Sequence, residues 1–369
     1  MRPLVLDEIC RLPGRGLELG ALPDGRLHAI TGDTELHKPG LLGCTWSVID
    51  LAGETFSRKR FDGPLWLPIC WKDHLLTSIT ESRSTDRGHT QHRSRLVLLE
   101  TDRPETIDEF AWECYADRPA VIGDHLWIGV SRGMSQKHDS FAWRWDGDRD
   151  IRRFPIGRKM DWVSTPIALS AGVLGCEVES FLAKEQQACA ACFLADGAAI
   201  AKSPWIPSGG GELAGRVLWV RDRLWVHTSR GALECFRFEG RSLVRQPVPG
   251  FLGPATGLSK DAPGRLEIYA LLGPDAAAAI DPEIRIEWVV PLERGALIGG
   301  WSFRKFAVRR IRPDGRIEAE LTIDRGGVAF RRPIRHPLAG LVSILSDGRV
   351  VSISEDSGTT TDVVPVVAP

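Results

Sequence analysis

Short apolar segments with an alternating pattern recur along the chain, and a polar or glycine-containing turn divides each of them. Segments in the same frame stand at 21–30, 70–79, 121–130, 169–178, 219–228, 261–270 and 344–353. Side chains alternate between the two faces of a β-strand, so an apolar alternation on both sides of a turn is typical of a β-hairpin. The pattern therefore predicts a hairpin at each of these positions.

A second kind of hairpin follows most of these segments, with glycine or aspartate at its turn. These turns lie at Gly53, Asp102, Gly147, Gly197, Gly240 and Gly315. Apart from one longer step before Gly315, they repeat at about 40 to 50 residues, the period of a four-stranded β-propeller blade. The sequence therefore predicts an all-β fold, a β-propeller of about seven four-stranded blades that forms a single domain over 1–369. Six blades, with 255–335 folded differently, is the alternative.

The two ends of the chain are predicted to share the last blade. Pro337 to Glu355 supplies two strands, Val363 to Val367 would be the third, and Leu4 to Leu12 would be the fourth. N- and C-terminal strands that share one blade close the ring, because no free sheet edge is left.

The longest departure from the repeat is 273–300, which we interpret as an insertion within the sixth blade. Its apolar residues are Ile284, Ile286, Trp288, Val289 and Val290. An apolar strip outside the ring needs a partner surface to cover it. A strand pair packed on its own blade is the alternative, and both interpretations stay open at this point.

Three segments resemble blades of the quinoprotein-like and WD40-like propeller superfamily: GDHLWIGV, RDRLWVHTSRGALECFRF and SDGRVVSI. The resemblance covers most of the chain and implies the propeller fold. The Trp-Asp ending of true WD40 blades is absent. Because propeller folds carry many unrelated functions, the resemblance implies no binding residues and no cofactor.

Charge, apolar runs and cysteine placement exclude several classes of function. With 47 basic and 48 acidic residues the net charge is −1, which provides no field that favours nucleic acid or an anionic membrane. Residues 1–20 lack the unbroken apolar stretch of a secretory signal, and no run of eighteen apolar residues occurs. The eight cysteines lie in apolar, strand-like segments, as reduced thiols do. We therefore predict a cytoplasmic protein that binds neither membrane nor nucleic acid.

Cys189 and Cys192 form the one close cysteine pair in the chain. On a strand, positions three apart point to opposite faces, so this pair is not expected to share a ligand. Cys176 would oppose Cys192 if the hairpin turn centres near Lys184. No metal and no cofactor are predicted.

Long connections join the second and third strands of the predicted blades, and binding residues concentrate on long loops of rigid scaffolds. The candidate ligand- or partner-binding residues are His37, Arg83, His89, His92, Arg132, His138 and Trp288. Imidazoles near carboxylates can form a metal or general-base site, whereas exposed loops also collect polar residues without function. An alternative for the arginine-rich loop 83–95 is local contact with phosphate or nucleic acid.

Two function hypotheses follow. The first is a non-catalytic interaction or scaffold propeller, a subunit of a larger cytosolic assembly that binds a protein partner. The alternative is a propeller enzyme, a hydrolase or lyase, with the loop histidines and Asp33, Asp86 or Asp139 around the central channel, where a small molecule would bind. The sequence carries no signature that identifies a catalytic residue.

Overall fold

The computed structural model describes residues 2–32, 43–72, 74–86, 90–99, 105–132, 140–147, 150–158, 161–170, 172–180, 187–207, 216–228, 232–252, 262–281, 283–302, 305–324 and 329–355. Contacts divide the chain into two compact units. The first unit is Met1–Asp62 with Gly264–Pro369, and the second is Gly63–Pro263. The single domain predicted over 1–369 stays a prediction.

Strands make up most of the described residues. The first fourteen are β1 (Arg2–Arg11), β2 (Arg15–Ala21), β3 (Leu27–Gly32), β4 (Cys44–Ile49), β5 (Thr55–Phe61), β6 (Ile69–Trp71), β7 (His74–Ser84), β8 (Thr90–Leu98), β9 (Glu105–Glu109), β10 (Cys114–Ala116), β11 (Ala120–Ile122), β12 (His125–Arg132), β13 (Phe141–Trp145) and β14 (Ile151–Pro155).

The remaining elements include two helices. They are β15 (Asp161–Val163), β16 (Ile167–Ser170), β17 (Val173–Ser180), β18 (Gln187–Leu194), β19 (Ala199–Lys202), β20 (Ile206–Pro207), β21 (Arg216–Val220), β22 (Arg223–His227), β23 (Leu233–Glu239), β24 (Ser242–Gln246), α1 (Ala262–Leu272), α2 (Pro274–Ala279), β25 (Ile284–Pro291), β26 (Ala296–Ser302), β27 (Lys305–Ile311), β28 (Ile317–Asp324), β29 (Ile334–His336), β30 (Gly340–Ile344) and β31 (Arg349–Glu355). Among the described residues, neither helix is long and apolar enough to cross a membrane.

Each unit is built from antiparallel meanders. The first unit contains the sheet β2-β3-β4-β5 and the sheet β25-β26-β27-β28-β1-β31-β30-β29. The second unit contains β21-β22-β23-β24, a six-stranded sheet around β17 and β18, and a nine-stranded sheet that runs from β14 to β6. The all-β prediction is confirmed, with several four-stranded antiparallel sheets. The number of blades and the closed ring stay predictions.

Local turn chemistry explains the hairpins. Six of the seven hairpins of the first kind are present, with the pairings β2–β3, β6–β7, β11–β12, β16–β17, β21–β22 and β30–β31. At the second kind of turn, Gly53, Gly147, Gly197, Gly240 and Gly315 have φ between 65° and 98°. Glycine adopts this left-handed conformation without a Cβ clash, so the turns form where the sequence places them. Asp102 lies outside the described residues.

The hairpin predicted at 261–270 is wrong, because this segment begins α1. Pro263 stands in the first turn, where its missing N–H breaks no helical bond. Leu266 and Ile268 are fully buried. The alanines of α2 have the highest helix propensity of any residue, and their run follows α1 after a single residue, Gly273.

The segment 273–300 is not an apolar strip outside a sheet. It contains α2, β25 and most of β26, and β25 pairs with β26 from Ile284↔Ser302 to Pro291↔Ala296. A strand pair within a sheet agrees with the second interpretation in that respect, and the insertion within the sixth blade stays a prediction. Ile284, Ile286, Trp288, Val289 and Val290 are all buried.

The N-terminal strand joins the C-terminal strands in one sheet, but in a different position from that predicted. β1 pairs directly with β31, from Leu4↔Glu355 to Arg11↔Arg349. Among the described residues, the order β29-β30-β31-β1 is thus a four-stranded sheet segment. Val363 to Val367 lies outside the described residues, and the position next to β31 that we assigned to it belongs to β1.

His28 makes the stability of the first unit depend on pH. Its imidazole is buried on β3, where Trp46 Nε1 donates to His28 Nδ1 at 3.4 Å. Burial lowers the pKa of His28 from 6.5 to about 4. The unfolded chain therefore takes up this proton at a higher pH than the folded chain does. The resulting stability is complete above pH 6.5 and is lost as the pH falls towards 4.

We expect this single group to contribute about 1 kcal/mol of the loss in unfolding free energy between pH 6.5 and 5.5. Urea unfolding of wild type and His28→Gln at a series of pH values measures it. The variant should lose less stability on acidification than wild type. Parallel pH profiles for the two proteins would contradict the assignment.

Candidate functional site

Of the predicted site residues, the structure describes the side chains of Arg83, His92 and Trp288. His37, His89 and His138 lie outside the described residues. Arg132 is the last residue of β12. Trp288 is 5% exposed and donates its Nε1 to the carbonyl of Phe330 at 3.2 Å. It is therefore a core residue of its sheet, and it presents no surface to a partner.

Arg83 and His92 belong to the long hairpin formed by β7 and β8. Pairing runs without a break from Leu76↔Leu98 to Ser84↔Thr90. The end near Leu76 is buried, whereas the residues at 82–84 are exposed. Because directly opposed residues of an antiparallel pair point to the same face, Glu81 and Arg83 share a face with their partners Arg93 and Gln91.

Trp112, from the turn before β10, packs against this face. The guanidinium carbons of Arg83 and Arg93 lie 4.0 Å and 4.6 Å from the centroid of its ring. We call Glu81, Arg83, Gln91, Arg93 and Trp112 the Trp112 cluster. A guanidinium over an indole is attracted by the negative face of the ring, with about 0.5 to 1 kcal/mol per contact at exposed sites.

Hydrogen bonds fix both arginines in place. Arg83 donates from Nε and Nη2 to Gln91 Oε1 at 3.1 Å and 2.9 Å. Arg93 donates from Nε to Glu81 Oε2 at 3.0 Å and from Nη1 to Glu109. The planar guanidinium can satisfy these partners and still stack on the ring. The cluster is therefore ordered before any ligand binds.

The charges of the cluster are not evenly compensated. Arg93 has carboxylate partners in Glu81 and Glu109. Arg83 bonds to the neutral amide of Gln91, and within the described part of the chain it has no carboxylate partner. The exposed end of the hairpin thus presents a positive charge beside a half-buried aromatic ring.

His92 lies on the opposite face of the hairpin. Its Nδ1 is 2.9 Å from Ser82 Oγ, and its ring centroid is 6.2 Å from that of Tyr115. A general base needs a third group that orients the imidazole, and no described carboxylate bonds to His92. The enzyme hypothesis also used His37, His89, His138, Asp33 and Asp139, which lie outside the described residues, and it stays a prediction.

The cysteines on β17 and β18 follow strand alternation. Cys189 packs with Trp127 and Phe193, whereas Cys192 packs on the other face of the sheet. The prediction that this pair points to opposite faces is confirmed. Cys192 opposes Gly175 rather than Cys176, so the predicted Cys176 to Cys192 pairing is wrong by one residue. Burial raises the pKa of Cys189 and Cys192 to about 12, and both thiols stay protonated at neutral pH.

Within the residues that the structure describes, no three histidine, cysteine or acidic side chains come together as a metal site. Sequence reasoning missed Trp112 and Glu109. Both residues stand in the acidic segment DEFAWEC (108–114), which follows the arginine-rich hairpin. This acidic, aromatic segment was the signal in the sequence that could have indicated a contact with the arginines. Strand pairing of β10 with β8, through Cys114↔Arg93, brings this segment to the hairpin.

Comparisons with known proteins give a distant likeness. No protein-family model matches the chain, and no curated protein matches it. Among solved structures, it is similar to a prolyl endopeptidase (12% identity, TM-score 0.43, 93% of this chain and 46% of that chain). It is also similar to BamB from Moraxella catarrhalis (13% identity, TM-score 0.44, 95% of this chain and 99% of that chain).

A third similar structure is the β-propeller domain of the Trilobed protease from Pyrococcus furiosus (9% identity, TM-score 0.43, 96% of this chain and 100% of that chain). The chain spans about half the length of the prolyl endopeptidase. Likenesses this distant assign neither a family nor an activity, although β-propeller proteins are among them.

Proposed function

We propose that the chain is a β-propeller that acts as a non-catalytic interaction module, and that it binds a protein partner through the Trp112 cluster. In this proposal it is a subunit of a larger cytosolic assembly. The observation that carries the proposal is the stack of the exposed Arg83 on the half-buried ring of Trp112, held by hydrogen bonds on a long hairpin.

Strand order supports the propeller part of the proposal. The described strands group into successive four-stranded meanders, beginning with β2–β5 and ending with β29–β31 and β1. Counting the meanders within the larger sheets gives seven. Each sheet can bury both of its faces only between neighbours, and a ring provides neighbours for all of them.

The residue types of the cluster support the binding part. Tryptophan and arginine are the residues that most often dominate the energy of protein interfaces. Because Arg83 and Arg93 are already held, a partner would order few side chains on binding. The charge of Arg83 indicates that the partner contributes an acidic side chain next to an apolar one.

The proposal is tested by comparing Trp112→Ala with Trp205→Ala. Trp205 is a matched control, since it is also in the second unit and is 42% exposed. Wild type and both variants are used to capture partners from the cytosol of the source organism. We expect Trp112→Ala to recover at least about tenfold less of the wild-type partner, and Trp205→Ala to recover the same amount.

Circular dichroism and the unfolding temperature of the three proteins show whether the variants are folded. Equal recovery by Trp112→Ala and wild type would contradict the assignment of the interface to the cluster. Recovery of no stoichiometric partner by wild type would contradict the interaction module itself. Arg83→Gln should lie between wild type and Trp112→Ala, because it removes the charge and leaves the ring.

A further inference from the structure

The last strand of the β2-β3-β4-β5 sheet combines an open edge with a run of basic residues. β5 is the terminal strand of this sheet, and among the described residues β4 is the one strand that pairs with it. Its Arg58, Lys59 and Arg60 form the one run of three consecutive basic residues in the sequence. An edge strand presents a row of N–H and C=O groups that can pair with another strand. Backbone bonding groups and positive charge therefore lie along the same edge.

The side chains on this edge are accessible to a partner. Arg58 and Arg60 are two positions apart on a strand, so they point to the same face, and both are exposed. Phe56, near the start of β5, is 57% exposed. The guanidinium carbon of Arg26 lies 5.5 Å from the centroid of the Phe56 ring. An exposed aromatic ring thus belongs to the same strand as the basic run.

The strand opposite β5 does not neutralise these charges. Arg58 is paired with Ser47 and Arg60 with Thr45 in the register of the two strands, and β4 contains no acidic residue. Within the ranges that the structure describes, Arg58 makes no hydrogen bond or ion pair. The positive charge of Arg58 is therefore available to a group outside the sheet.

Another terminal strand of the protein shows the contrast. β14 ends its own sheet and carries Arg152 and Arg153. Arg152 Nη2 lies 2.9 Å from Asp150 Oδ2, and Arg153 Nη2 lies 2.8 Å from Asp108 Oδ2. The arginines of β14 are thus compensated by carboxylates of the chain itself, whereas Arg58 is not.

The sign of the charge selects the strand that β5 can accept. Like charges directly opposite each other destabilise a strand pair, and basic residues keep two copies of one edge apart for this reason. Opposite charges in the same positions stabilise the pair. The basic run therefore disfavours pairing with a second copy of β5 and favours pairing with an acidic strand.

We propose that β5 is a docking edge for an acidic, extended segment of a partner protein, which adds to the sheet as a further strand. In strand addition, main-chain hydrogen bonds provide affinity and side-chain pairs provide specificity. Acidic side chains of the segment lie opposite Arg58 and Arg60, and an apolar one covers Phe56. This edge belongs to the first unit and the Trp112 cluster to the second, so the proposal does not depend on the function assigned to that cluster.

Fluorescence anisotropy with a labelled peptide of alternating glutamate and valine tests the edge. The peptide is titrated with wild type, Arg58→Glu and the control Arg152→Glu, which changes the net charge by the same amount on a terminal strand. We expect saturable binding to wild type and Arg152→Glu with equal Kd. Arg58→Glu should raise the Kd at least about fivefold, because an attractive cross-strand pair becomes a repulsive one. Circular dichroism shows whether the variants are folded.

Two further measurements separate strand addition from attraction between charges. A fully N-methylated form of the peptide keeps its charges but has no N–H to donate, and we expect it to lose saturable binding. Hydrogen exchange of the amides at 55–61 should slow when the unmodified peptide binds, while exchange at 151–155 stays the same. Equal binding of the N-methylated peptide, or unchanged exchange at 55–61, would overturn strand addition.

Single-stranded DNA is the other extended polyanion that a basic run could bind. An oligonucleotide of similar charge is titrated under the same conditions, and we expect it to bind more weakly than the peptide, because it cannot continue the backbone ladder of the sheet. Tighter binding of the oligonucleotide than of the peptide would contradict the proposal. Equal affinity of the peptide for wild type and Arg58→Glu would also contradict it, since the peptide would then bind elsewhere.

Discussion

Replacement of Asp108 by alanine is expected to lower the free energy of unfolding by about 3 kcal/mol, the combined cost of an unsatisfied buried donor and a lost ion pair. Asp108 lies on β9, and its Oδ2 accepts from the indole Nε1 of Trp143 at 2.8 Å. Trp143 is fully buried, so its N–H would have no replacement partner from water. Arg153 Nη2 donates to both oxygens of the same carboxylate, at 3.0 Å and 2.8 Å.

Chemical unfolding of three variants measures this contribution. Asp108→Asn keeps an acceptor for Trp143 and loses only the charge, so about 1 kcal/mol is expected. Asp150→Ala is the matched control, because Asp150 is exposed and, among the described residues, its ion pair is with Arg152 two residues away; its effect should be within about 0.5 kcal/mol. Similar losses for Asp108→Ala and Asp150→Ala would show that the Trp143 bond is not a major stabilising contact.

The second large effect is expected from Arg265→Met, at about 3 kcal/mol, in the range found when a buried charged hydrogen-bond donor is removed. Arg265 is 8% exposed. It donates from Nη1 to the carbonyls of Ala277 and Ile280 at 3.2 Å and 3.1 Å, and from Nη2 to Asp281 at 2.9 Å. These carbonyls lie in the last turn of α2 or directly after it. The last carbonyls of a helix have no hydrogen-bond donor within the helix, so they need a partner from elsewhere.

Thermal unfolding and hydrogen exchange of the peptide 262–281 measure the loss. Arg265→Lys should lose only about half as much unfolding free energy as Arg265→Met. The lysine ammonium keeps the charge, but it cannot bond to three carbonyls as the planar guanidinium does. Arg332→Met is the control, since the side chain of Arg332 is 58% exposed. If hydrogen exchange in α2 is unchanged in Arg265→Met, the guanidinium does not hold the end of this helix.

The repeat was predictable because its signals are local. A glycine at a tight turn, with apolar alternation on each side, specifies a hairpin from a few consecutive residues. Gly240 is an example: its φ of 65° is the conformation that the residue type favours. The same local rule placed Cys189 and Cys192 on opposite faces without knowledge of the partner strands.

The wrong predictions concern segments whose local sequence pattern fits two different structures. The segment 261–270 has alternating apolar residues and a Pro-Gly pair, which fit a hairpin, but the alanine run that follows it at 276–279 fits a helix. Arg265 of α1 bonds to carbonyls in and after α2, a contact that periodicity does not show. The sequence left two interpretations open for Trp288, exposed or packed, because burial depends on which strands flank β25.

The candidate site likewise combines residues that the sequence indicated with a residue that only the structure identified. The arginine-rich hairpin and Arg83 were visible in the sequence as a charged loop with unspecified partners. Trp112 was not, because it meets Arg83 only through the parallel bridge between β8 and β10. Residues so far apart along the chain are brought together by strand pairing, which no short pattern around either of them encodes.

The amino-acid sequence by itself determined the strands, most hairpin turns and the alternation of faces, because these depend on steric preferences of neighbouring residues. Only the tertiary structure decided that β1 completes the sheet of β31, that Arg265 bonds to the carbonyls at the end of α2, and that Arg331 bonds to the carbonyl of Gly16. These arrangements join distant parts of the chain, and their energies depend on burial and charge in the assembled fold.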